Sequence, residues 1–114
     1  MIEATIISYL TSALDGVSVY AEEPEDKTNA KPYIVITKTG GDIDEYLKSS
    51  QIVVDCYAET KVDTITLNDT VIDAMLGIIS LDDITSCELN SNYDDTDTTT
   101  KEYRYGALFD IKHY

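Results

Sequence analysis

The feature that most constrains this chain is a two-residue alternation that recurs in several separate segments. Tyr103, Tyr105, Ala107, Phe109 and Ile111 alternate with Arg104, Gly106, Leu108, Asp110 and Lys112. A period of two belongs to β-strands, whose successive side chains point to opposite faces of a sheet. Thr85, Cys87 and Leu89 alternate in the same way with Ser86, Glu88 and Asn90, which gives a closing pair of strands. Upstream, Pro32 opens a strand in which Ile34 and Ile36 share one face and Tyr33, Val35 and Thr37 the other. Gln51 to Tyr57 form its return strand, with Ile52, Val54 and Cys56 on one side and Asp55 and Tyr57 on the other. Gly40-Gly41 is expected to break the first of these two strands. The stretch to Ser49 is then longer than a tight turn requires and reads as a projecting hairpin loop.

Two segments carry helical spacing instead. Ile2, Ile6, Tyr9, Leu10, Ala13 and Leu14 form an amphipathic stripe that ends before Asp15-Gly16, where a glycine C-cap fits. Thr60-Lys61-Val62-Asp63 matches a capping box, although the same box recurs from Thr66 to Asp69, so the second helix has two candidate starts. Its apolar stripe is Ile65, Ile72, Met75, Leu76 and Ile79, widened by Leu67, Val71 and Ile78. Val17 to Tyr20 reads as a brief strand, Ala21 to Lys31 as an acidic loop, and Ser91 to Lys101 as a polar hairpin tip. The predicted fold is α+β in the order α-β-β-β-α-β-β, with one mostly antiparallel sheet covered by two helices in a single domain over residues 1–114.

Charge narrows the partners. The 22 acids against 8 bases leave a net charge of −14, spread along the whole chain. Nucleic-acid binding rests on basic residues that neutralise phosphates, so this balance repels DNA and RNA. No apolar run reaches the roughly 18–20 residues of a membrane span, and the N-terminus lacks a basic signal region, so the chain reads as a cytoplasmic product. Cys56 and Cys87 are too few and too far apart for a disulfide scaffold, a redox pair or a zinc site, and read as small buried hydrophobes.

Reactive constellations are sparse. His113 is the single histidine and stands beside the C-terminus, where a Ser-His or Cys-His pair would depend on a mobile residue. Gly40-Gly41 lacks the spacing of a phosphate loop, and Asp42 and Asp44 follow where phosphate would need positive charge. Asp94, Asp95 and Asp97 hint at calcium. Counting from Asp94, however, Thr99 stands where the calcium loop needs glycine and Tyr105 where it needs glutamate, so a solvated tip is the better reading. Asn68-Asp69-Thr70 fits a glycosylation triplet inside a predicted helix and is treated as chance. The chain therefore reads as a non-enzyme with no cofactor and no metal.

Nine tyrosines stand against one phenylalanine and no tryptophan. Tyrosine suits strands that keep the ring on the core and the hydroxyl in water, and it is also favoured at interface cores. Tyr33, Tyr57 and Tyr103 are the candidates for a subunit or partner interface, because their apolar neighbours already fill a core face.

Pro32-Tyr33-Ile34-Val35-Ile36, then Gln51 to Ala58, then the helix through Val71-Ile72-Asp73-Ala74-Met75-Leu76 together resemble the tail-terminator and tail-completion proteins of long-tailed phages and prophages. The resemblance is one of pattern and element order over nearly the whole chain. The Thr60–Thr66 stretch departs from it in being richer in β-branched residues than the family's usual helix start. What the resemblance implies is a structural homo-oligomeric ring, usually a hexamer, at the head-proximal end of the tail tube. Such a ring stops tube polymerisation and offers a docking surface to the head connector. Its partners would be further copies of itself, the tail-tube protein and the connector or neck protein, with DNA passing through and no membrane involved. It would assemble in the host cytoplasm and end in the virion tail.

Within such a ring, Asp42, Asp44 and Glu45 are candidates for a negative wall facing the lumen, against the plainer reading of a solvated loop. Other neck or tube components, and a small ligand-binding or regulatory α/β module, remain the alternatives on the residues alone.

Overall fold

The computed structural model describes residues 2–25, 31–44 and 46–114. Its elements run α1 (Ile2–Ala13), β1 (Ser18–Tyr20), β2 (Tyr33–Asp44), β3 (Leu47–Tyr57), α2 (Lys61–Leu76), a 3₁₀ turn (Gly77–Ser80), β4 (Ile84–Asp94) and β5 (Arg104–His113). The strands form one five-stranded sheet in the order β1-β2-β3-β5-β4, antiparallel except where β1 runs parallel to β2. The expected α+β class and element order are those of the molecule. No described helix is long and apolar enough to cross a membrane.

The core lies between the two helices and one face of the sheet. Ile6 and Leu10 of α1 and Val71 and Met75 of α2 meet Ile34, Ile36, Ile52, Val54, Cys56, Ala107, Phe109 and Ile111, all buried. These strand positions are the alternating set that the period of two selects. Cys56 is fully buried in this core, whereas Cys87 is only partly covered at its margin. The Tyr9 hydroxyl donates to the Ala74 carbonyl oxygen at 2.7 Å and ties α1 to the end of α2.

The first of the two candidate caps starts α2. Thr60 is the N-cap, and its hydroxyl accepts from the Asp63 amide at 3.1 Å. Thr66, the rival start, lies inside the helix. The hydroxyls of Thr64, Thr66 and Thr70 each donate to the carbonyl four residues back, which satisfies them without breaking the helix.

The buried face of α2 also differs from the expected stripe. It is Thr64, Leu67, Asn68, Val71 and Met75, continued by Ile78, while Leu76 and Ile79 are exposed. Two polar residues hold core-facing positions, so a reading of apolar period alone turns the helix too far. Asn68 is retained there by a reciprocal pair. Its amide donates to the Asn92 carbonyl oxygen, and the Asn92 amide donates back, at 3.0 Å each. The Asn92 amide also reaches the Gly106 carbonyl oxygen at 2.9 Å, so the buried Asn68 is matched by a side chain of β4 that is itself tied to β5.

The expected loop from Gly40 to Ser49 is instead a paired ribbon. β2 passes through both glycines with a β-bulge between Lys38 and Gly40, and pairing continues to Asp44 opposite Leu47. A Cβ on Gly41 would stand 2.9 Å from the Ser49 carbonyl oxygen, so glycine there permits the strands' close approach. The tip from 91 to 101 is likewise shorter than expected, since β4 extends to Asp94.

Phe109 fills the centre of the sheet at 0% exposure, so Phe109→Ala should cost about 3–5 kcal/mol of stability. Thr60→Ala should cost about 1 kcal/mol through loss of the cap. Urea titrations followed by circular dichroism would check both, and equal losses for the two variants would contradict this division between core and cap.

Candidate functional site

With both helices on one side, the opposite face of the sheet carries the other half of each strand's alternation. Through the strand registers this face holds Tyr33, Val35, Thr37, Asp42 and Asp44 of β2 and Ser49, Gln51, Val53, Asp55 and Tyr57 of β3. Beside them stand Arg104, Gly106, Leu108, Asp110 and Lys112 of β5 and Ser86, Glu88 and Tyr93 of β4. Its two ends differ in chemistry.

One end is aromatic and covered. Tyr33 and Tyr57 stack with ring centroids 4.5 Å apart, and Tyr20 of β1 meets Tyr33 edge-on at 5.9 Å. Tyr33 is 0% and Tyr57 2% exposed, so the rings expected to meet a partner are taken up inside this chain. The Tyr57 hydroxyl donates to Glu23 at 2.8 Å and accepts from Arg104 at 3.3 Å, and Arg104 also pairs with Asp95 at 3.0 Å. The Tyr33 hydroxyl is buried with no hydrogen-bond partner among the described residues. Burial, reinforced by Glu102 and Glu23, pushes its pKa up to about 12 and keeps it neutral. Tyr103, the third interface candidate, lies just before β5 and is partly exposed.

Between the two ends sits Asp55, opposite Val35 on one side and Gly106 on the other. Gly106 is needed because the Tyr93 ring lies across it. A Cβ there would stand 2.6 Å from that ring. Burial pushes the Asp55 carboxyl up to about 6; Arg104 opposes that rise, while the negative Asp95 and Glu23 add to it.

The other end is an open hollow of about 460 Å³ lined by Asp42, Ser49, Gln51, Ser86, Glu88, Asp110 and Lys112 among others. Asn90 donates to Asp110 at 2.8 Å at its rim. Asp42 and Asp44 stand on this face as strand residues of the ribbon, and Glu45 lies outside the described residues. The structure therefore joins Asp42 to Glu88 and Asp110, acids that no local pattern connects.

Elsewhere, His113 ends a strand rather than trailing beyond it. β5 runs to it, and the Tyr114 amide bonds the Asp83 carbonyl oxygen at 3.0 Å. His113 Nε2 lies 2.8 Å from the Ser50 hydroxyl, and both residues are buried beneath the helices, 7% and 2% exposed. The pair matches polar groups at the end of the core. At the β4–β5 tip, Asp94 accepts from Thr96 and pairs with Lys61, while Asp97 accepts from the amides of Thr99 and Thr100. These acids shape turns. No group of three or more metal-ligating side chains is placed to hold a metal among the described residues.

No protein-family model matches the chain, and no curated protein matches it.

The raised Asp55 pKa fixes the sign of one pH effect. The folded chain holds this proton more tightly than the unfolded chain, whose carboxyl titrates near 3.8. Between about 6 and 3.8 the folded state binds more protons, so Asp55 penalises folding above that window and the penalty is relieved as pH falls through it. Asp55→Asn should therefore be more stable than the parent at pH 7, with the difference shrinking toward pH 4. Unfolding curves across that range would check this, and a constant difference would contradict it.

Proposed function

We propose that this chain is the subunit of a phage tail-terminator ring, which caps the head-proximal end of the tail tube, ends its polymerisation and presents a docking surface to the head connector. The observation that carries the reading is the one-sided sheet. Two helices cover one face, and the open part of the other presents Asp42, Asp44, Glu88 and Asp110 against Lys112. A wall of that sign repels phosphates within a Debye length of about 8 Å, which suits a channel that DNA must traverse without sticking. The lumen role expected of Asp42 and Asp44 thus extends in this reading to Glu88 and Asp110 on the open part of the face. The partners of this reading are further copies of the chain, the tail-tube protein and the connector.

A second reading draws on the hollow on the same face. A small ligand-binding module would use its acids and Lys112 to hold a polar solute, and would do so as a monomer or dimer.

Native mass spectrometry and negative-stain images, with and without tail tubes, separate the two. The terminator reading expects a closed ring, alone or on tube ends, and a strict monomer that ignores tube ends would contradict it. The parent chain should show no duplex binding at physiological salt. Replacing Asp42, Asp44 and Glu88 with Lys should leave the fold within about 0.5 kcal/mol per exposed site while creating salt-sensitive DNA binding in a gel-shift titration. A triple variant as inert to DNA as the parent would remove the electrostatic argument.

A further inference from the structure

The sheet ends in two free edges of different kinds. Among the described residues β4 pairs only with β5, so its outer edge carries no strand over its 11 residues, Ile84–Asp94. At the other side β1 pairs only as far as Val35, which leaves the outer edge of β2 from Ile36 to Asp44 without a strand among the described residues. Free edges present rows of backbone donors and acceptors that readily take another strand.

We infer that β4 of one copy pairs with the 36–44 edge of β2 in the next copy, so that the sheet runs on from subunit to subunit. This contact rests on the reading of the chain as a self-assembling subunit, and it names the surface that assembles.

Three observations fit the two edges to each other. Through the successive antiparallel pairings β4 runs opposite to β2, so copies turned about an axis along the strands bring the edges together antiparallel. Second, both edges are kinked beside one row. The row Lys38–Ile52–Phe109–Leu89 crosses the sheet, with the β2 bulge at Lys38/Gly40 on one side of it and the β4 bulge at Leu89/Ser91 on the other, while β4 carries a further bulge at Ile84/Ser86. Bulges discourage flat, indiscriminate pairing, so kinks that flank a common row limit the registers the edges can take, and we take the register that keeps this row continuous. Third, the helix-side face of both edges leaves apolar side chains exposed, Ile43 at 66% on β2 and Leu89 at 38% on β4. Pairing puts both on the helix-side surface, Ile43 in the row of Ile84 and Leu89 in the row of Lys38. The contact is heterologous, and such contacts close into a ring that consumes every free edge or continue as a filament that does not.

In this register Leu89 of one copy faces Lys38 of the next. Within one chain the two residues are three strand spacings apart, about 14 Å, too far for a direct contact. Leu89→Lys should therefore set like charges opposite each other between copies and shift the protein toward monomer. Adding Lys38→Glu to that variant should restore assembly, which repair of folding within one chain would not explain. Hydrogen exchange on the parent protein across a concentration series, with and without tail tubes, should show slowed amides in 36–44 and 84–94 only in the assembled form. Assembly with both edges still exchanging at the monomer rate, or Leu89→Lys assembly that Lys38→Glu fails to rescue, would overturn the contact and leave the terminator reading standing. Protected edges in a filament that never closes or caps a tube would support the contact and overturn the terminator. A parent chain that stays monomeric under every condition would overturn both.

Discussion

The packing of α1 and α2 against a single face of the sheet is the constraint on which the rest of the molecule depends. A five-stranded sheet has two faces, and two helices joined by the Tyr9–Ala74 hydrogen bond cover one. Burial of Ile34, Ile36, Ile52, Val54, Phe109 and Ile111 supplies the apolar drive for the fold on that side. The other side then has to be acceptable to water or to a partner. At the aromatic end the chain covers it with its own tyrosines and Glu23. Toward the β2–β3 tip it leaves a polar, acidic surface.

Asp55 marks where those two regimes meet. It is a carboxylate at the centre of a sheet, beside stacked rings, a glycine and one arginine that is already shared with Tyr57 and Asp95. A structural core would place an apolar residue there. Its raised pKa records the cost of keeping a charge at the border of the covered end. The fold thus keeps one carboxylate at that border and places Asp42, Asp44 and Glu88 on the exposed part of the same face.

How much of this could be read beforehand varied with the range of the interactions. The strands around Ile34, Ile52 and Phe109 were legible because the period of two is a local property of a half-buried strand. The face of α2 was misjudged because Thr64 and Asn68 hold core positions, and Asn68 does so only through Asn92, which lies on another element. The ribbon from Gly40 to Ser49 looked like a loop because both of its sides are polar and the bulge absorbs the glycines. Asp42 and Asp44 were visible as candidates, whereas Glu88 and Asp110 join them only through the pairing of β2, β3, β5 and β4. Tyr33 and Tyr57 were noticed for the right reason, a second apolar face, but the cover for that face lies within this chain.

A reconstruction by electron cryomicroscopy of the assembled particle on a tail tube tests the central claim most directly, because it shows which way the one-sided sheet turns. The account predicts helices α1 and α2 on the outside, with Asp42, Glu88 and Asp110 facing the channel. A ring whose channel is lined by the helices, with the acidic sheet face turned outward, would contradict it.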